Sequence, residues 1–352
     1  MLLNKKKNFI FVFFSFFVTT IFASTVVDQI LLDNVKKRGI TFYWDSLSTT
    51  GMLEKNGQYL TFKPEQNFVL KNSLEISYID APKIQNGEIK VTKSFLSEIE
   101  DFFNENSSDR PKMRVGAILI DPGHGGKDPG ANMVHKINGK NVTVREKDIN
   151  LTVGNMLSSM LSEAYPDKKI IMTRNKDVFL TLQERTEIAN SVKLKENEAV
   201  LYISIHVNAS FDKKAKGYEV WYLTPGYRRT VIDKNTTSDP KLFNILNSMM
   251  EEEYTTESIL IAKFIMDGLS SQIGSQSVSR GIKAEEWFVV RNSKMPSVLV
   301  ELGFLTNYAE ACNLNNKAYL QKQALGIYNG INAFVTHFER SRDLQDYNNE
   351  YD

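Results

Sequence analysis

Beyond about residue 115, short apolar runs alternate with helical patterns, and this alternation restricts the fold more than any other feature of the chain. Strands are predicted near 115–120, 169–172, 199–205, 218–223, 287–290 and 297–300, and helices near 149–163, 182–192, 258–269 and 319–334. Strands separated by helices pair in parallel and are covered on both faces. The predicted fold is therefore α/β: an open, mostly parallel sheet with helices on both faces.

Two of these strands deliver a histidine. The run that begins at Ile118 enters a glycine-rich turn carrying His124, and the run 199–205 ends at His206. The carboxyl ends of parallel strands meet at one edge of a sheet, where loops carry the chemistry. These two are therefore candidate metal ligands, whereas His135 in a polar loop and His337 at a helix end are expected to be structural or solvated.

Two carboxylates accompany the histidines. Glu146 lies just before a helical pattern, from which it can project back toward the strand ends, and Glu301 directly follows the strand 297–300. Two imidazoles and a carboxylate supply three of the four positions that zinc prefers, and the fourth is left for water. A nearby carboxylate can pass a proton from such a water to a leaving amine, which makes Glu301 the candidate base. Each carboxylate also has an alternative role. Glu146 could interact with the positive end of the helix dipole, and Glu301 could form an ion pair with a lysine or arginine at the strand end.

Five motifs occur in order between about residue 115 and residue 338. They are Asp121-Pro-Gly-His-Gly-Gly126, Arg145-Glu-Lys147, Met172-Thr-Arg174, Ser204-Ile-His-Val-Asn208 and Val300-Glu-Leu-Gly-Phe304. In these motifs the chain resembles the zinc-dependent N-acetylmuramoyl-L-alanine amidases of bacterial cell walls. The resemblance implies a Zn²⁺ ion held by His124, Glu146 and His206, with Glu301 as the catalytic residue. It also implies cleavage of the amide between the lactyl group of muramic acid and the first L-alanine of the peptidoglycan stem peptide.

Other polar residues of these motifs are expected to have supporting roles. Arg174 and Arg185 recur where the family keeps arginines, and we expect them to fix loops as ion-pair partners. Asn208, two residues past His206, either orients the metal loop by hydrogen bonding or is a turn residue that tolerates unusual φ.

Two other classes of function compete with the amidase. A metallo-carboxypeptidase could use the same donors, but it would also need an arginine for the substrate carboxylate. A wall-binding protein without activity would have lost a metal ligand or the base, and all four residues are present here. A phosphate-binding loop at Gly123–Gly126 is excluded because no Gly-Lys-Ser/Thr follows it.

The amino terminus reads as a leader and not as part of a domain. Lys5–Lys7 precede an apolar stretch, 9–23, that is shorter than the ~20 residues a membrane-spanning helix needs. Residues 1–23 are therefore predicted to be a signal peptide of an exported, periplasmic or wall-associated protein, with an uncleaved anchor as the alternative. The net charge of +1 argues against nucleic-acid binding, the single cysteine allows no internal disulfide, and a monomer is expected.

The segment 24–103 has a different sequence pattern. Two Asn-Gly pairs, at 56–57 and 86–87, each separate short alternating apolar runs. Such pairs predict β-hairpins, and Thr92 or Ser94 could cap a following helix. We predict a small β-rich domain that weakly resembles copper-amine-oxidase-like modules, without a metal site because it holds no histidine. A polar linker at 104–114, a catalytic domain at 115–339 and a polar tail at 340–352 follow.

The segment 226–254 is longer than its connection requires. Its first half is polar, and its second half has apolar residues at helical spacing that lead into Glu251–Glu253. Some members of the resembled family carry a helix here that covers the zinc. By that resemblance one of the three glutamates would occupy the open metal position until an activator protein displaces the segment. The alternative is a surface helix with solvated glutamates.

Overall fold

The computed structural model describes residues 29–45, 49–55, 58–71, 75–104, 113–195, 197–236 and 240–340. The predicted leader, most of the predicted linker and the tail beyond 340 lie outside these residues. None of the helices in the described part of the chain combines the length and the apolar character needed to cross a membrane.

The first part of the chain forms two small antiparallel sheets and two helices. Its elements are β1 (Gln29–Ile30), α1 (Leu31–Lys36), β2 (Thr41–Asp45), β3 (Thr50–Lys55), β4 (Gln58–Phe62), β5 (Phe68–Lys71), β6 (Glu75–Tyr78), β7 (Lys83–Gln85), β8 (Glu88–Val91) and α2 (Lys93–Asn104). One sheet has the order β1-β8-β7 and the other the order β2-β3-β4-β5-β6. The predicted β-rich character of this segment is thus confirmed.

The Asn86-Gly87 pair and the helix cap that the sequence predicted in this part form the expected turn and cap. Strands β7 and β8 pair across Asn86 and Gly87, whose φ values of 54° and 78° suit a tight hairpin turn. Strands β3 and β4 pair on either side of the other Asn-Gly pair, which itself lies outside the described residues. The Thr92 hydroxyl accepts a hydrogen bond from the backbone N–H of Phe95 at 3.1 Å, and so caps α2.

The second part holds the larger sheet. Its elements are β9 (Arg114–Pro122), β10 (Asn132–Ile137), β11 (Lys140–Arg145), α3 (Glu146–Ala164), β12 (Lys169–Met172), α4 (Leu182–Asn190), β13 (Glu198–Asn208), β14 (Tyr218–Tyr222), α5 (Pro240–Ile273), β15 (Ser279–Ala284), α6 (Phe288–Asn292), β16 (Ser297–Phe304), α7 (Tyr308–Leu314) and α8 (Lys317–Arg340). The strand order is β12-β9-β13-β16-β14-β15. The first four strands are parallel, and β14 runs antiparallel to β16.

The two faces of this sheet differ in what they bury. On one face, residues such as Ile118, Ile203 and Val298 form a continuous core with apolar residues of α3, α5 and α8. On the other face, Leu119 and Leu299 join a smaller cluster with residues of α4 and α6. This arrangement confirms the predicted open sheet with helices on both faces.

Several predicted elements are wrong or were missed. The predicted strand 287–290 is the beginning of α6, because a short apolar run does not distinguish a strand from a buried helical turn. The predicted helix 258–269 is the second half of α5, which continues the helix predicted within 226–254. Strand β15 is polar and gave no signal, whereas the β10–β11 hairpin could have been found from Asn138-Gly139, whose φ values are 50° and 78°.

Candidate active site

The loop that follows β9 is shaped by close contacts. His124 lies in the left-handed region at φ 59°, which few non-glycine residues adopt. A Cβ atom on Gly123 would lie 2.2 Å from Cε1 of His206. A Cβ atom on Gly130 would lie 2.5 Å from Oε2 of Glu146. Glycine at 123 and 130 therefore lets the loop approach the two side chains that reach it from other elements.

Three predicted ligands converge at this loop from separate elements. His124 comes from the loop after β9, Glu146 from the first residue of α3, and His206 from the end of β13. Oε1 of Glu146 lies 3.2 Å from Nε2 of His124 and 3.0 Å from Nδ1 of His206. One ligand atom from each residue lies within 4.8 Å of the others. The structure thus brings together the three residues that the sequence singled out.

The cluster is partly sealed from water and attracts positive charge. Burial alone would raise the pKa of Glu146, but hydrogen bonds with His124 and His206 outweigh it and hold that pKa well below its usual range. Burial opposes a charged imidazole at His124, yet Glu146 and Asp128 outweigh burial and raise its pKa. The protein environment here favours a cation, as a proton or as a metal ion.

Backbone and carboxylate groups around the cluster fix its side chains. Nδ1 of His124 lies 2.8 Å from Oδ2 of Asp128, so that Nε2 is the nitrogen facing Glu146. Oε2 of Glu146 accepts a hydrogen bond from the N–H of Ala131 at 2.8 Å, and Oε1 accepts one from the N–H of Val207 at 3.1 Å. A histidine ligand with a carboxylate on its other nitrogen is typical of protein metal sites. Asp128 was missed at the sequence level, although it lies four residues after His124 within the same loop.

Two buried arginines, Arg174 and Arg185, fix the backbone of the loop that carries His124. Arg185 forms an ion pair with Asp121 at 2.7 Å and donates to the carbonyl of His124 at 2.7 Å, which confirms its expected role. Arg174 donates instead to the carbonyls of Pro122 and Gly123, each at 2.8 Å. Within the described residues no ion pair of Arg174 is found, so it fixes the loop through backbone oxygens and not through the ion pair that the sequence suggested.

Glu301 lies on the strand next to His206. The two residues are direct partners in the pairing of β13 with β16, so their side chains lie on the same face of the sheet. Glu301 is only 8% exposed, and within the described residues its Oε2 atom has no hydrogen-bond partner. Burial, and then the charges of Glu146 and Glu219, raise the pKa of Glu301 well above its usual value. A buried carboxyl with a free oxygen beside the ligand cluster can act on a proton there.

The donor set fits a zinc ion. Zinc in hydrolytic enzymes takes nitrogen and oxygen donors from three side chains and leaves one position open. The two imidazole nitrogens and one carboxylate oxygen described above form such a set, with the outer nitrogen of His124 held by Asp128.

Comparison with known proteins settles the family. The sequence model of the family described as N-acetylmuramoyl-L-alanine amidase matches residues 118–333, which is more than half of the 352 residues. The chain belongs to the N-acetylmuramoyl-L-alanine amidase family. The predicted class of enzyme, a hydrolase acting on an amide bond, is confirmed, and peptidoglycan is the substrate class of the amidase.

Individual relatives of the amidase cover the same region. The uncharacterized protein YqiI of Bacillus subtilis (strain 168) is 33% identical over 219 residues, 62% of this chain and 84% of YqiI. The probable N-acetylmuramoyl-L-alanine amidase AmiB of Haemophilus influenzae is 31% identical over 62% of this chain and 51% of AmiB, so that the chain spans about half the length of that relative. The catalytic domain of CwlV, from Bacillus (Paenibacillus) polymyxa var. colistinus, is a solved amidase structure. It is 26% identical over 63% of this chain and 98% of that chain, with a TM-score of 0.47.

The predicted lid is not at the site of the amidase. Oε1 of Glu251 accepts a hydrogen bond from the backbone N–H of Arg229 at 2.9 Å, and Oε1 of Glu252 accepts one from Lys63 in the N-terminal part at 2.8 Å.

Glu253 lines a cavity with Met113 and Ala199, where β9 and β13 begin. The three glutamates therefore lie toward the edge of the sheet opposite His124 and His206. The prediction that one of them fills the open metal position is wrong for this structure. That an activator protein displaces the segment stays a prediction.

The remaining residues that the sequence analysis discussed are placed as follows. His135 is buried, with Nε2 2.9 Å from the carbonyl oxygen of Leu305, which is the expected structural role. His337 is exposed and lies against the ring of Phe264. Asn208 donates a hydrogen bond to Glu219 at 2.7 Å and so joins β13 to β14.

Proposed function

We propose that this amidase is an exported zinc hydrolase that cleaves the amide between the lactyl group of N-acetylmuramic acid and the first L-alanine of peptidoglycan stem peptides. His124, Glu146 and His206 hold the metal, and Glu301 is the catalytic residue. The observation that carries the proposal is the convergence of the three donors from three elements, with Glu301 in register beside His206.

The proposed mechanism divides the work among these residues. The three donors would bind zinc, which when bound supplies Lewis acidity for the scissile carbonyl and positive charge that lowers the pKa of Glu301. Glu301 accepts the proton of the attacking water and returns it to the departing amine of alanine. Asp128 keeps the His124 ring oriented, and Arg174 and Arg185 keep the loop in place through its carbonyl oxygens.

The proposal also covers the location and the organisation of the protein. A substrate in the cell wall requires export, and the predicted leader at 1–23 would provide it. The division into a β-rich domain at 24–103, a linker at 104–114 and a catalytic domain at 115–339 is supported by the separation of the apolar cores. One core lies within residues 31–103, and the cores on the two faces of the larger sheet lie beyond 113.

The test is incubation of the purified protein with isolated peptidoglycan, with and without a chelator, followed by re-addition of Zn²⁺. We expect new amino-terminal alanine on the released peptides, uncut glycan strands, loss of activity with the chelator and recovery with zinc. Release of single amino acids from peptide ends would indicate a carboxypeptidase and contradict the proposal. Activity that is indifferent to the chelator would contradict the metal assignment.

A further inference from the structure

Glu301 has a second neighbour across the sheet, on the side away from His206. In the pairing of β14 with β16, Glu219 is the direct partner of Glu301. His206, Glu301 and Glu219 therefore form a row across three adjacent strands on one face. With strands about 4.8 Å apart, Glu219 lies roughly 10 Å from His206.

Glu219 is the centre of a small charged cluster. Its side chain is 2% exposed, and Oε2 accepts hydrogen bonds from Arg280 Nε at 2.7 Å and from Lys283 Nζ. Oε1 accepts a hydrogen bond from the side-chain amide of Asn208. Two cations thus share one buried carboxylate, which leaves an excess of one positive charge next to the base. No hydrogen bond or ion pair joins Glu301 to either cation within the described residues.

The two cations are held in place and are open to solvent. The Arg280 guanidinium lies 4.9 Å from the ring centre of Phe304, and the Lys283 ammonium lies 5.0 Å from that of Trp221. Their side chains are 37% and 31% exposed. In the described part of the chain no acceptor binds Nη2 of Arg280. A ligand can therefore reach donors that the protein has already oriented.

We propose that Arg280 and Lys283, positioned by Glu219, form a subsite for a carboxylate on the peptide side of the scissile amide; this inference rests on the proposed function. The lactyl carboxyl is consumed in the amide, and N-acetylated sugars are neutral, so the negative charge of such a substrate belongs to its peptide. Roughly 10 Å is two to three residues of extended chain. The Nη2 donors of Arg280 and the remaining donors of the Lys283 ammonium suit a carboxylate at that distance.

The test compares two soluble substrates that differ only in charge. One is N-acetylmuramoyl-L-alanyl-glutamate, and the other has both glutamate carboxylates converted to carboxamides. We expect the wild-type protein to cleave the free acid with a kcat/KM at least about tenfold higher, mainly through KM, the scale of one charge-assisted hydrogen bond. In Lys283→Gln and in Arg280→Gln this ratio should fall toward one while the amidated substrate is still cleaved. Lys214→Gln, in the exposed loop before β14, should keep the wild-type ratio.

The ratio separates recognition from damage, because a variant that merely disturbs Glu301 loses activity on both substrates equally. A wild-type ratio near one, or a ratio that persists in both variants, would overturn the subsite and leave the proposed function intact. Failure of the wild-type protein to cleave either substrate, with zinc present, would overturn the proposed function itself.

Discussion

At the scale of single residues, the site depends on the buried carboxyl of Glu301, whose Oε2 atom has no hydrogen-bond partner among the described residues. Glu301→Gln keeps the shape of the side chain but cannot accept a proton, so we expect kcat to fall by about 10² to 10⁴. Bound zinc, measured by atomic absorption, should stay at the wild-type level. His124→Ala should instead lose the metal together with activity. Exposed Glu285→Gln is the matched control and should behave as wild type.

Glu301→Gln and His124→Ala distinguish the two roles because the first removes the group that accepts the proton and the second removes a metal ligand. A Glu301→Gln protein with near wild-type turnover would show that another group accepts the proton. A Glu301→Gln protein without metal would show that Glu301 is a ligand.

A second prediction concerns Gly123, which has no side chain to bind the metal or transfer a proton and acts only through the space that it leaves. A methyl group at 123 would lie 2.2 Å from the His206 ring, so Gly123→Ala must displace that ring. We expect weaker zinc binding by calorimetry and lower activity, with a smaller change in thermal stability. Gly139→Ala is the control: it has φ +78° but nothing within 4 Å of the added carbon, so it should affect stability and leave metal affinity unchanged. Equal metal affinity in Gly123→Ala and wild type would refute this steric role.

At the scale of elements, the direction of β14 decides where the following segment lies. Only residues 209–217 separate β13 from β14, fewer than the dozen or more that a parallel crossover needs. Strand β14 therefore starts at the edge of the sheet that holds the site and runs away from it. The chain length between the strands could have shown this from the sequence. The expected lid at 226–254 instead followed from resemblance, which does not fix the direction of a strand.

The position of the three glutamates in α5 gives a prediction for regulation. Because Glu251, Glu252 and Glu253 lie away from the metal ligands, changing all three to glutamine should not raise the rate of peptidoglycan hydrolysis. The rate should be compared with that of Glu257→Gln, one turn further along the same helix. An increase in activity specific to the triple variant, at equal zinc content, would restore the inhibitory reading.

Helices α5 and α8 approach closely through glycines, which gives a prediction for stability. A Cβ atom on Gly330 would lie 2.4 Å from the Cα of Ile265, and one on Gly268 would lie 2.2 Å from the carbonyl oxygen of Gly326. Gly330→Ala should therefore lower the free energy of unfolding by about 1–3 kcal/mol despite the better helix propensity of alanine. Denaturant titration measures this, with exposed Gln321→Ala on α8 as the control. An unchanged or raised stability would mean that the helices separate without cost.

At the scale of the whole molecule, the sequence predicted the parts that depend on local pattern. Buried parallel strands are continuous apolar runs, so β9, β13 and β16 and the residues at their ends could be located in advance. Polar strand β15 and the cations it carries could not, because its pairing depends on β14 and not on its own composition. The role of Asp128 could not be predicted for a similar reason, because it depends on the folded loop bringing this carboxylate to His124.

The acid stability of the whole fold should depend on one buried carboxylate. Asp121 joins four segments through Thr173, Arg185, Tyr202 and Ser204. Burial alone would raise its pKa, but the charge of Arg185 and the hydrogen bond from Thr173 outweigh burial and lower it.

Since the pKa in the folded state lies below the unfolded value of about 3.9, this stabilisation is present above that pH and is lost as the pH falls through the folded pKa. Asp121→Asn leaves Arg185 buried without a counter-charge, which should cost about 3–5 kcal/mol at neutral pH and flatten the acid limb of the stability profile. Denaturant titrations between neutral and acid pH, with exposed Asp167→Asn as the control, measure both effects. An acid limb as steep in Asp121→Asn as in the wild-type protein would assign the acid sensitivity to other groups.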